Sequence, residues 1–213
     1  MSAEQAKPDI LLREQNIEKA LENLCNGASC HQVARLLHRA SYAGRISYHE
    51  GRQLLGDDLK EALLTAVNLR LIIPVRSIND SLNWVDAMLV LEPGETYKMP
   101  NIAKQLVKHA GVSGAWDIGH SVSTIFEEMG EPSWSLMPIL VQRLCETATG
   151  QHVNGFEIGK VCNEMGLGDR VGALILELKG AGIISPKLDS FAEVRRAGAP
   201  IYEINRSVLL GLS

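Results

Sequence analysis

The stretch "GRISYHEGRQLLGDDLKEALLTAVNLRLIIP", residues 44–74, carries the signals from which a fold can be read. Ser47 is a good N-cap, and Glu50 stands three positions later, the spacing at which side chain and backbone cap one another reciprocally. Leu54 and Leu55 give this short helix its buried end, and Gly56 supplies a residue able to take the left-handed conformation that closes it. Asp57 or Asp58 then caps a further helix, "LKEALLTAVNL", whose Leu59, Leu63, Ala66 and Val67 share one face. The run "RLIIPV" (70–75) is short, apolar and β-branched. With the polar turn "SINDS" (77–81) and the second run "WVDAMLVL" (84–91) it predicts a β-hairpin. Upstream, "HQVARLLHRASYA" (31–43) sets Val33, Leu36, Leu37 and Ala40 at helical spacing and ends at Gly44. The order is helix, helix, helix, hairpin.

That order recurs. Displaced by 111 positions, "DLKEALLTAVNLRLII" (58–73) lies over "DRVGALILELKGAGII" (169–184), with identities at Asp58/Asp169, Ala62/Ala173, Leu63/Leu174, Ile72/Ile183 and Ile73/Ile184. The flanks agree: "PILVQRLCETATG" (138–150) serves as a first helix with Pro138 in its tolerated early position, and "FEIGKVCNEMG" (156–166) as a second. "IISPK", a long polar loop and "IYEIN" supply the second hairpin. The chain therefore divides into an N-terminal helical extension (1–30), a first unit (31–98), a helical connector (99–134) and a second unit (135–213).

The extension carries "ILLREQNIEKALENL" (10–24), packing at Leu11, Ile17, Leu21 and Leu24. The connector carries "PNIAKQLVKHAG" and "AWDIGHSVSTIFEEMG", whose stripes (Ile102, Leu106, Val107; Val122, Ile125, Phe126, Met129) call for burial against a neighbour. The Pro/Gly-punctuated "EPGETYKMP" and "GEPSWS" read as the joints. The predicted architecture is mainly α with small β-hairpins.

Aromatic residues make up only 5% of the chain, so the core rests on Leu, Ile, Val, Ala and Met, which favours helical packing. No run approaches the ~20 apolar residues of a membrane span, and "MSAEQAKPD" has neither the basic start nor the apolar stretch of a secretory signal, so the expectation is a cytoplasmic protein. The four cysteines are then expected reduced. "CNGASCH" brings Cys25, Cys30 and His31 together without the spacing of a zinc ribbon, and buried thiols are expected there in place of a metal site. The net charge of −4 is uneven: residues 31–56 set four arginines (Arg35, Arg39, Arg45, Arg52) against the single acid Glu50.

Both units resemble winged helix-turn-helix domains, over residues 31–91 and 136–206, and the chain resembles the broad group of tandem winged-helix proteins. The carriers are "GRISYHEGRQLLGDDLKEALLTAVNLRLIIP" and "NGFEIGKVCNEMGLGDRVGALILELKGAGIISP" (154–186). That group includes DNA-reading transcription factors, and also chromosome-condensation and endosomal-sorting subunits that bind other proteins.

The resemblance implies that the third helix of a unit approaches base edges. In the first unit its opening residues are Asp57, Asp58, Lys60 and Glu61. These suit the helix dipole but repel phosphate, and the bland alternative is a stability cap. The second unit opens with Gly168, Asp169 and Arg170, and its long loop carries Lys187, Arg195 and Arg196, positioned either for a DNA backbone or merely for solubility. Gly172, Ala173 and Gly180 make its third helix small-sided, which suits packing by another helix as well as groove entry. No catalytic triad, phosphate-cradling glycine loop or H-E-x-x-H occurs, and "GLGDRVG" follows a helix, which fails the dinucleotide context. His109, His120 and His152 are scattered, and Trp84, Trp116 and Trp134 read as core or interface anchors. The expectation is a non-enzymatic, dimeric transcriptional regulator without cofactor. It contacts double-stranded DNA through Arg170, Lys187, Arg195 and Arg196, aided by Arg45 and Arg52. The alternative is a scaffold that binds protein partners.

Overall fold

The computed structural model describes residues 12–25, 29–77, 83–84, 87–187 and 198–212. The chain is mainly helical, with two small three-stranded antiparallel sheets. Helix α1 (Glu14–Leu21) precedes a first series: α2 (Cys30–Ala43), β1 (Arg45–Ser47), α3 (Tyr48–Leu55), a 3-10 turn at Gly56–Asp58, α4 (Leu59–Asn68), β2 (Ile73–Pro74) and β3 (Thr96–Lys98). Next come α5 (Asn101–Ser113) and α6 (Ile118–Glu128). The series then repeats as α7 (Met137–Thr147), β4 (His152–Asn154), α8 (Gly155–Glu164), a 3-10 turn at Gly168–Arg170, α9 (Val171–Ala181), β5 (Ile184–Pro186) and β6 (Ile201–Ile204). Helix α10 (Arg206–Gly211) ends the described chain.

The two series agree in detail. Ser47 accepts a hydrogen bond from the Glu50 amide at 3.2 Å and its own amide donates to Glu50 at 3.0 Å. Asn154 and Glu157 form the same reciprocal box at the start of α8, at 2.9 and 2.7 Å. The sheets run β1-β3-β2 and β4-β6-β5. In each, a central-strand tyrosine is flanked by an aliphatic residue and a proline: Tyr97 by Ile46 and Pro74, Tyr202 by Val153 and Pro186. Both tyrosines are buried.

Four local expectations are corrected. Residues 45–47 and 152–154, to which the sequence reading assigns no strand, are strands; each contributes one inward residue, Ile46 or Val153, too few for a two-residue period to register. The second arm of the first hairpin is Thr96–Lys98, within a stretch read as a joint, and not 84–91. Ala87 makes only an isolated bridge with Ser77, while Val90 offers its carbonyl to the Tyr97 hydroxyl. The turn at 77–81 lies, apart from Ser77, outside the described residues, as does Leu11. Neither Asp57 nor Asp58 caps α4 with its side chain, because both sit in the 3-10 turn that leads into it. Gly56 has positive φ (59°) but an extended ψ of −127°, so it redirects the chain without forming the left-handed cap.

Two hydrophobic clusters fill the interior, and α5 belongs to both. Its Ala103, Val107 and Ala110 face the cluster of α1, α2 and α4, while Ile102 and Leu106 face that of α6 to α9. Among the connector residues expected to be buried, Met129 is the exception, being exposed.

The two series also meet directly, and reciprocally. Arg206, just after β6, donates to Asn68 at the end of α4 at 2.7 Å. Asn101, just after β3, donates to the Gly180 carbonyl at the end of α9 at 3.0 Å. A Cβ on Gly182 would meet Pro100 at 2.6 Å, so the backbones approach as closely as glycine allows. Asn205 ties the junction, donating to the carbonyls of both Arg70 and Gly182 at 3.1 Å.

Candidate functional site

The third helix of each series is the element on which recognition was expected to rest. On α4 and the 3-10 turn that leads into it, Asp57, Asp58, Lys60, Glu61, Leu64 and Asn68 are exposed. Its leading turn is acidic, a poor match for phosphate. Arg52, one of the cations expected to contact DNA, folds back onto this turn. It donates to the Gly56 carbonyl at 2.9 Å and to Asp57 at 2.6 Å, so it pairs with an acid of its own chain.

On α9 the arrangement differs. Arg170, expected to reach a nucleic acid, turns inward. Its Nη1 donates to Glu131 Oε1, and its Nη2 donates to Oε2 at 2.7 Å, a two-pronged pair with a carboxylate whose side chain is 0% exposed. Glu177, about two turns into α9, lies 3.5 Å from the same guanidinium. The Arg170 hydrogen bonds hold the Glu131 carboxyl down at about 2, against the opposing push of burial. Glu177 moves the other way: burial, then its hydrogen bond with Glu131, raises its pKa. Glu131 also accepts from the Ser133 amide at 2.8 Å. The cluster therefore fastens the start of α9 to the turn after α6, and leaves Arg170 a structural cation.

With Arg170 withdrawn, the outward face of α9 is Gly172, Ala173, Leu176, Lys179 and Gly180, all exposed. Leu176 is 65% exposed. Gly172, Leu176 and Gly180 lie four residues apart and so form one ridge. Met129 extends it, with its methyl 3.8 Å from where a Gly180 Cβ would stand.

The remaining expected contacts are dispersed. Arg45 is exposed at the start of β1, directly opposite Lys98 of β3. Lys187 leaves β5 half-buried, with its amide bonded to the Ile201 carbonyl at 2.9 Å. Arg195 and Arg196 lie outside the described residues. The structure thus brings Arg45 together with Lys98, a lysine not singled out in the sequence, and does not bring Arg170 together with Arg45 or Arg52.

Other reactive groups are occupied or buried. Cys30 donates to the Cys25 carbonyl at 3.3 Å, and burial first, then the Cys30 side chain, pushes the Cys25 thiol up to about 12. His31 faces away to Glu18, at 2.9 Å. His109 and His120 lie with ring centroids 4.4 Å apart and their planes tilted by 46°. Among the described residues no group of three or more His, Cys, Asp or Glu is arranged to hold a metal, and no helix is long and apolar enough to cross a membrane. Trp84 is buried at the junction of the two series, its amide donating to Ser185 Oγ at 3.1 Å. Trp116 donates to the Ser207 carbonyl at 3.2 Å. Trp134 is exposed.

No curated protein and no solved structure matches the chain. One family model does, over nearly its whole length, and the chain belongs to that uncharacterised protein family, matched over residues 15–212.

Proposed function

We propose that the chain is a non-enzymatic protein of two winged-helix units that docks a helical segment of a protein partner on α9 of the second unit. The order helix, strand, helix, helix, strand, strand in both series supports the winged-helix reading, as does the placing of the third strand between the other two. The observation that carries the docking reading is the exposed ridge of Gly172, Leu176 and Gly180, beside an Arg170 held by buried Glu131. Small residues let a second helix approach closely, and Leu176 offers an apolar anchor of the kind that dominates helix-in-groove contacts. Double-stranded DNA fits this surface less well. A groove-entering helix needs cations or amides at its start, and here the cation is neutralised and the next residues are small and apolar.

Leu176→Asp tests the reading. The residue is exposed, so the variant keeps the fold. The expected result is a partner that cross-links to the wild-type chain at α9 and is lost by the variant, with sedimentation deciding whether that partner is a second copy. A duplex titration runs beside it. Binding that weakens steeply with salt, ignores Leu176→Asp and disappears in Arg195→Ala/Arg196→Ala would overturn docking in favour of DNA.

A further inference from the structure

The two sides of the junction between the series differ in charge. β3 and β6 hold the same place in their sheets, and the alignment of Tyr97 with Tyr202 sets Lys98 against Glu203. On one side Glu203 meets Arg70 across the junction, with Nη2 to Oε1 at 2.8 Å. On the other, Lys98 makes no ion pair with a described acid. It lines a cleft of about 370 Å³ together with Lys179 of α9, so that the two series bring like charges to one opening. Lys104 stands at its rim, with Nζ 3.6 Å from where a Cβ on the cleft residue Gly44 would be. Arg45 lies beside Lys98 in the ladder. None of these four cations makes an ion pair with any described residue.

Like charges placed directly across a strand pair are destabilising, and a fold that neutralises one side of a repeated junction while gathering cations on the other has left room for an anion. The walls are fixed before any ligand arrives. Gly182 presses on Pro100, and Asn101 is bonded to Gly180. Ile73, Trp84 and Met99 line the cleft with apolar surface, and its volume falls in the range of small-molecule sites. We infer that this cleft binds a small phosphate-bearing ligand, its phosphate held between Lys98 of one unit and Lys179 of the other and its organic part against Ile73, Trp84 and Met99. Such a ligand bridges the units and strengthens their junction. The inference does not rest on docking at α9, although Lys179 and Gly180 border both surfaces.

Calorimetric titration of the full chain with ATP and with pyrophosphate, at low ionic strength, tests it. The expected result is saturable binding that raises the melting temperature. Lys98→Glu/Lys179→Glu weakens it by roughly tenfold or more, while Lys60→Glu/Lys160→Glu, on other exposed faces, does not. Tighter binding of ATP than of pyrophosphate identifies an organic phosphate as the source, and equal binding identifies the free anion. No saturable binding of either, binding indifferent to Lys98 and Lys179, or binding of a DNA duplex alone overturns the inference. Leu176→Ala, which removes the docking anchor without placing a carboxylate three residues from Lys179, leaves phosphate binding unchanged, which separates this outcome from that of the docking test.

Discussion

Arg70 and Glu203, 133 residues apart, form an ion pair across the junction, with the Glu203 side chain only 7% exposed. Arg70 reaches it from a left-handed backbone, φ 57°, the one positive φ on a non-glycine among the described residues. Its guanidinium also lies 5.8 Å from the centroid of the Trp84 ring. A left-handed residue with a Cβ is disfavoured by ~1–2 kcal/mol, so the contacts at this position offset a local strain.

Two substitutions separate strain from pairing. Arg70→Ala keeps the strain and strands a nearly buried carboxylate, and it is expected to lower unfolding free energy by about 3 kcal/mol in urea denaturation. Arg70→Gly loses the same pair but relieves the backbone, and should be more stable than Arg70→Ala by about 1 kcal/mol. Equal stabilities would show that the contacts impose no strain.

The Glu131–Arg170 pair predicts an acid-sensitive component. The Glu131 carboxyl is depressed to about 2 in the folded chain, so its contribution is present above the ordinary carboxylate range and is lost as pH falls from about 4.5 toward 2. Arg170 is one-third exposed, which screens the pair, and about 2 kcal/mol is expected. Glu177 acts with the opposite sign. Its raised pKa favours folding below the carboxylate range, and that part fades as pH rises through its folded value. Stability of Glu131→Gln measured from pH 2 to 6 should be flatter than wild type.

Two glycines in or beside α9 are expected to respond oppositely to alanine. Nothing lies within 4 Å of a Cβ at Gly172, so Gly172→Ala should stabilise the helix by about 0.5–1 kcal/mol. Gly182 has φ 74° and would drive a Cβ to 2.6 Å from Pro100. Gly182→Ala should cost about 2 kcal/mol or more, read as a fall in melting temperature. If α9 receives a partner helix, the stabilised Gly172→Ala chain binds that partner less well.

The reciprocal boxes at α3 and α8 provide a test of the repeat itself. Ser47→Ala and Asn154→Ala should each cost about 1 kcal/mol, because each removes the acceptor for the amide three residues on. A large difference between the two would mean that the helices carry unequal shares of their units' stability.

What could be read from the sequence was what local chemistry determines. The Ser47/Glu50 box, the buried stripe Val33, Leu36, Leu37 and Ala40, and the repeated Ile-Ile arm all depend on neighbours within a few residues, and all are present. The three-residue strands at 45–47 and 152–154 are defined by partners about fifty residues away, and no local pattern marks them. Arg170 was legible as a cation at a helix start, but its partner Glu131 sits 39 residues earlier between a glycine and a proline, outside any periodic segment. One signal was available and missed: "TYK" (96–98) and "IYE" (201–203) match at tyrosine and differ in charge at the next residue, which is the asymmetry that opens the cleft.

Helix α5 has no solvent side broad enough to belong to one neighbour alone: Ile102 and Leu106 are claimed by one interior, Ala103, Val107 and Ala110 by the other. Severing the chain there strips a wall from both chambers at once. Heat or denaturant is therefore expected to melt both interiors in one transition.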